Sequence, residues 1–216
     1  MTMTMRDKSF SARLRTATKP CHDRAEAHPL QRSLLKGALP RPLYARQLGQ
    51  LLLVHRALES AIRAAAARDD RLFEVACEEH FQAPRISADL AHLGVDSNAE
   101  RPTPATSAFI TRIDALREQT PIALLGLLYV LEGSNNGGRF IARAVRKAYG
   151  FDDGAGATFL DPYGQEQPAK WARFKAALDS CALTNAEADA IVSAAGEMYD
   201  AISAIGDDLF PSLNAV

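Results

Sequence analysis

TPIALLGLLYVLEGSNNGGRFIARAVRKAYG, Thr120 to Gly150, carries both the strongest helix signal in the chain and the clearest violation of it. Thr120 is an N-cap residue, Pro121 occupies the first helical position and Gly150 terminates the pattern, which predicts one helix, the longest of the molecule. Its middle, LEGSNNGGRFI from Leu131 to Ile141, places Gly133, Gly137 and Gly138 among Ser134, Asn135 and Asn136. Each interior glycine costs about 1 kcal/mol relative to alanine and the polar residues a few tenths each, so roughly 3–5 kcal/mol of helix propensity is given up. Three explanations stay open on spacing alone. Gly133 and Gly137, four apart on one face, admit a neighbouring helix. The segment breaks in two, with Gly137 and Gly138 in a turn. Or a flat, bulky ligand lies on the backbone, and the small polar groups hold water or a bound diatomic.

Outward from this segment, apolar residues recur at helical spacing nearly everywhere and strand-like alternation is scarce, so the fold class is all-α, a helical bundle. A first helix is predicted to carry Phe10, Leu14, Ala17, Cys21 and Ala25 as one stripe and to end before Pro29, with Pro20 kinking it or delaying its start. A second runs from the Pro40, Pro42 pair to about Arg68. Short helices follow near Arg71 to His80 and Ser87 to His92, then one from Ala105 to Glu118. Phe151 to Pro168 reads as a structured loop or small hairpin. Helices from about Ala169 to Ser180 and Asn185 to Leu209 close the chain, the last with a Thr184–Glu187 capping box.

The 216 residues, 47% hydrophobic and 24% charged, fit one domain spanning 1–216, with residues 1–8 expected to be disordered. Twenty-five basic and 26 acidic side chains leave a formal charge of -1, which excludes a global field for nucleic acid or anionic membrane. Cys21, Cys77 and Cys181 form neither a CxxC pair nor a disulfide framework. No signal peptide is evident, and the longest apolar run, Ile122 to Leu131, is about half of a bilayer span. A cytoplasmic protein without a membrane anchor, a monomer or weak dimer, is expected.

Among His22, His28, His55, His80 and His92, only His22 has a promising neighbour. Glu26, one turn on, is placed to accept from the imidazole nitrogen that a metal leaves free. An exposed helix-stabilising pair is the plain alternative. HExxH, ExxH and CxxCH templates are absent, as is a GxSxG elbow; Cys77 with His80 and Asp89 with His92 are isolated half-motifs. Lys170, Trp171, Arg173, Phe174 and Lys175 form a basic, aromatic helix start, either a solvated face over a packed Trp171 or a pair of cations for ligand carboxylates.

LRTATKPCHDRAE, Leu14 to Glu26, resembles the proximal-helix signature of the haem oxygenase family, and YVLEGSNNGGRFI, Tyr129 to Ile141, is similar to that family's glycine-bearing distal helix. The order and separation of the two, the intervening LLLVHRALESAI and the WARFK helix extend the resemblance over nearly the whole chain. It implies an all-helical fold with haem b, both substrate and cofactor, between His22 as axial ligand and the distal segment Gly133, Ser134, Asn135, Asn136, Gly137 and Gly138. It also implies Arg15 and Lys175, with Arg173 nearby, as cations for the haem propionates, and Tyr129 on the distal side. The chemistry implied is cleavage of haem by molecular oxygen to biliverdin, carbon monoxide and ferrous iron, with electrons from a soluble donor such as a ferredoxin or reductase. Three departures stand out: Ser134 where animal-type members carry an aspartate, Pro20 two residues before His22, and His55 where an aromatic is common. A non-catalytic haem carrier or sensor is the alternative on this fold, and a thiaminase-like hydrolase or non-haem iron oxidase is a third reading.

Overall fold

The computed structural model describes residues 9–151 and 154–210, so the N-terminal residues expected to be disordered lie outside the described part. Its α-helices are α1 (Phe10–Ala27), α2 (Pro29–Leu35), α3 (Arg41–Ala66), α4 (Arg71–Val75), α5 (Ala83–His92), α6 (Pro104–Gln119), α7 (Leu124–Tyr149), α8 (Gln167–Ser180) and α9 (Asn185–Leu209). No strand occurs among the described residues. The buried apolar side chains form one cluster that runs from Leu14 through α3 and α7 to Leu209. α9 is the floor of the arrangement: α1, α6 and α7 all pack on it, while α3 packs on α5, α6 and α7.

Prolines explain several boundaries. Pro29, expected only to end the first helix, also starts α2, whose N-cap His28 accepts from the Leu30 N–H at 3.2 Å. Pro20 neither delays nor ends α1, which is helical from Phe10 onward. Both Pro20 and Thr16, whose carbonyl loses its i+4 donor there, are exposed, so that acceptor lies on the solvent side of the helix. The inner face of α1 is rotated from the expected stripe: Ser11, Leu14, Thr18 and Ala25 are buried and Ala17 is exposed. Asp179 of α8 accepts from both the backbone N–H and the hydroxyl of Ser11, which pins that face inward.

Arg71 to His80 is not one helix but α4 followed by a 3-10 turn at Glu78–His80. α5 begins at Ala83, earlier than expected, because the buried Glu59 carboxylate of α3 accepts from the Gln82 and Ala83 N–H groups at 2.8 and 2.9 Å. The described residues between α7 and α8 form a structured loop with a 3-10 turn at Gly164–Glu166, the first of the two expected forms and not the hairpin. Buried Asp89 holds it by accepting from the Thr158 and Phe159 N–H groups and the Thr158 hydroxyl. The Thr184–Glu187 capping box forms as expected.

Candidate functional site

α7 is unbroken from Leu124 to Tyr149 after a 3-10 turn at Pro121–Ala123, so the glycine run is not a turn. Close packing does explain part of it, at other positions than expected. A Cβ on Gly126 would stand 2.1 Å from the Ile191 carbonyl oxygen of α9, and one on Gly138 would stand 2.3 Å from the Leu160 carbonyl oxygen. Gly138, expected at the ligand, is thus held by backbone contact, although it also borders a cleft with Ser134 and Asn135. Gly133 and Gly137 are different. A Cβ on Gly137 meets nothing within 4 Å, and one on Gly133 meets only the edge of Trp171 at 3.5 Å. With Tyr129 they form a stripe at i, i+4 and i+8 whose glycine part is bare backbone.

The polar residues between these glycines are committed inside the helix. Ser134 donates its hydroxyl to the Leu131 carbonyl at 2.6 Å and Asn136 donates Nδ2 to the Gly133 carbonyl at 2.9 Å. Asn135 points inward, 5% exposed, and donates to Glu132. The cleft beside them is lined by Leu51, Leu131, Ile141 and Ile202 and by buried Gln47, whose Oε1 has no partner among the described residues.

α1 packs on α8 and α9, the two helices on which α7 also packs. Arg15 and His22, seven residues apart, share one exposed face of it two turns from each other. The His22 ring is about half exposed, with Nε2 3.5 Å from Glu26 and Nδ1 3.5 Å from Asp23, and it stands edge-on to Tyr199 of α9 at 5.7 Å between centroids. The donor atoms of His22, Asp23 and Glu26 all lie within 4.8 Å of one another. Burial pushes the phenols of Tyr199 and Tyr129 up, and Tyr199 is close enough to Tyr129 for the latter to oppose its ionisation further. Arg15 partly offsets that burial at Tyr129. The Tyr129 ring also meets Trp171 at 5.3 Å, and Lys175 lies over Trp171 at 5.5 Å. Thus His22, Arg15, Tyr129, Gly133 and Lys175 surround one region, joined by the rings of Tyr199 and Trp171.

Arg173 is not brought there. It turns to Glu79, 3.5 Å away, and borders a second cleft with Cys77 and His80. Cys77, Glu79 and His80 also bring donor atoms within 4.8 Å, but the His80 Nδ1 already accepts from the Cys77 N–H at 3.0 Å, and Lys170 clamps Glu79. Burial lowers His80 to about 4, so it is a neutral packing residue against Phe174. His55 is likewise packed: 2% exposed, edge-on to Phe159, with Nδ1 3.4 Å from Glu59. Reasoning from sequence missed Glu132, Gln47, Tyr163 and Tyr199. Glu132 had a signal, since it is the lone carboxylate after the apolar run IALLGLLYVL.

The order and packing of these helices define a class, the heme oxygenase fold. The structure of "Heme Oxygenase from Leptospira interrogans" superposes with a TM-score of 0.84 at 25% identity, covering 92% of this chain and 98% of that one. That of heme oxygenase-2 from Synechocystis sp. PCC 6803 in complex with heme and NO gives 0.89 at 21% identity, covering 96% and 88%. Among curated relatives, a protein named "Heme oxygenase" from Guillardia theta is 24% identical over 197 residues, 89% of this chain and 82% of its own length. The family model described as "Heme oxygenase" matches residues 8–204, and the chain belongs to that family of oxidoreductases acting on haem.

Proposed function

We propose that the chain binds haem b between α1 and the Gly133–Gly137 stripe of α7, with His22 as the axial ligand. The observation that carries this is the pairing of a half-exposed His22 with an α7 stripe on which a Cβ at Gly137 would touch nothing. When bound, haem is both the substrate and the centre at which molecular oxygen is activated, and ring opening gives biliverdin, carbon monoxide and ferrous iron.

The residues of the chain supply the rest. His22 offers one imidazole nitrogen, and Glu26 is the acceptor for the other. Arg15 makes no ion pair among the described residues and Lys175 only a cation–π contact, so both are available to propionates, whereas Arg173 is held by Glu79. Gly133 and Gly137 let the ring plane approach the backbone. Electrons come from a soluble donor such as a ferredoxin or reductase; no helix among the described residues is long and apolar enough to cross a membrane. A cytoplasmic setting accords with this.

Purified protein titrated with haemin should develop a Soret band that His22→Ala strongly perturbs; an unchanged spectrum in that variant would overturn the ligand assignment. Reduction of the complex by ascorbate or a ferredoxin system should then yield the biliverdin absorption band. The second reading, a haem carrier or sensor, is favoured by one observation: the Ser134 hydroxyl is turned back onto the Leu131 carbonyl, so no ionisable group stands at that place. A stable haem complex that never forms biliverdin would select it.

A further inference from the structure

Glu132 stands one residue before the bare glycine stripe and is 2% exposed. Its carboxylate accepts from the Tyr163 hydroxyl and from Asn135 Nδ2, the latter at 3.3 Å to Oε2 and 3.5 Å to Oε1. A carboxylate this deep is costly unless its acceptor sites are filled. Asn135 is the link outward, because its other end borders the cleft that Gly138 and Ser134 share. With Nδ2 committed to Glu132, the atom left for the cleft is Oδ1. Gln47, whose own Oε1 is buried without a partner among the described residues, also lines this otherwise apolar space. An acceptor at such a cleft takes a donor, and a water molecule is the smallest that supplies one.

We infer that Glu132 is a positioning residue of the cleft: its carboxylate fixes the Asn135 amide with Nδ2 inward, leaving Oδ1 as the acceptor that the cleft offers to ordered water. Placing that water next to the ligand rests on the haem reading above; the hold of Glu132 on Asn135 does not. The hold also depends on charge, since a hydrogen bond to an ionised carboxylate is about twice as strong as one to a neutral carboxyl.

The surroundings put the ionisation within reach of ordinary conditions. Burial pushes the Glu132 carboxyl up to about 7, and the hydrogen bonds from Tyr163 and Asn135 hold it from going higher. The charged groups around it come from several elements. Glu79 in the 3-10 turn raises it, Arg85 of α5 lowers it, and Cys77 senses it in turn. Lys170 and Arg173 of α8 neutralise Glu79. Through Gln82, which donates to the Tyr163 oxygen, the buried Glu59 of α3 and its partner His55 stand behind them. Tyr163 has a second acceptor, the Glu79 carbonyl at 3.0 Å. Protonated Glu132 therefore has a consistent alternative: its O–H donates to the Tyr163 oxygen while Tyr163 donates to Glu79.

The test uses the ¹⁵N-labelled full chain without haem, so its outcome is separate from that of haem binding. The Asn135 side-chain amide resonances, assigned by their loss in Asn135→Ala, should move with pH about a midpoint near 7. Glu132→Gln should abolish that titration in a protein that stays folded. Tyr163→Phe, which removes one hydrogen bond to the carboxylate, should carry the midpoint upward by roughly one pH unit. Asn135 resonances that stay still between about pH 5 and 9, or that titrate unchanged in Glu132→Gln, would overturn the inference. If Glu132→Gln proves unfolded, the direction of the Tyr163→Phe shift decides: a downward or absent shift overturns it as well.

Discussion

Two pairs of glycines in one helix are glycine for opposite reasons. At Gly126 and Gly138 another stretch of backbone comes so near that no Cβ fits, with carbonyl oxygens 2.1 and 2.3 Å from where it would stand. At Gly133 and Gly137 nothing crowds the helix except the edge of Trp171. The first pair is explained inside the protein; the second is not. Glycine costs the helix about 1 kcal/mol at each position in either case, and for the unexplained pair the proposed haem face supplies the missing reason. Cost alone does not separate the two pairs, and the crowding around each Cβ does.

The sharpest way to break this distinction is to add the missing methyl groups. Gly126→Ala and Gly138→Ala each drive a Cβ into a carbonyl that belongs to packed backbone and cannot swing away. Each is expected to destabilise the fold by about 3 kcal/mol or more, read as a large drop in thermal midpoint. A Gly138→Ala protein with the stability of the parent would remove the crowded class altogether.

Glu132, between Gly126 and Gly133, sharpens the comparison from the buried side. Its folded carboxyl sits near 7 against an ordinary 4.5, so the native state holds that proton more tightly than the unfolded chain. The resulting stability is fully present below about pH 4.5 and is lost as pH rises through 7, a change of about 3 kcal/mol. His80 works in the other direction. Its folded value near 4, below the ordinary 6.5, gives stability that is present above about pH 6.5 and lost as pH falls toward 4. The two largely offset each other in mildly acid solution. Glu132→Gln should unmask His80: relative to the parent, its unfolding free energy should fall by about 3 kcal/mol between pH 8 and pH 4.5. Equal pH profiles for parent and variant in denaturant titrations would show that Glu132 is not proton-linked to folding.

The sequence made the helices and the two motif-bearing walls legible because both are local. Periodicity over Thr120 to Tyr149, the Thr184–Glu187 box and the glycine terminator at Gly150 need no partner from elsewhere in the chain. What stayed hidden depends on partners far along the chain. The early start of α5 comes from Glu59, the irregular path through Thr158 and Phe159 from Asp89, and the rotation of α1 from Asp179. The same holds at the site. Gly133 and Gly138 look alike in sequence, and only the positions of Trp171 and Leu160 tell them apart. Arg173 and Lys175, two residues apart, are 200° apart around a helix, which is why one meets Glu79 and the other lies over Trp171.

The smallest effect carries the most information, because its two parts have opposite signs. Gly137→Ala adds a methyl group into open space, so the haem-free protein should gain about 1 kcal/mol in stability from helix propensity alone. If the bare stripe exists to let a flat ring lie on the backbone, the same methyl group stands in its way, and haemin affinity should fall about tenfold, equivalent to 1.4 kcal/mol. Gly133→Ala is the graded companion, with its Cβ in ordinary contact with Trp171 and a smaller gain in stability. Stability without haem is read from denaturant unfolding, and affinity from Soret titration of the same preparation. A variant more stable than the parent that also binds haemin as well would leave Gly137 with neither a packing nor a ligand reason. A variant more stable and weaker in binding ties the propensity lost at this position to the ligand face, because no contact within the protein changes sign in that way.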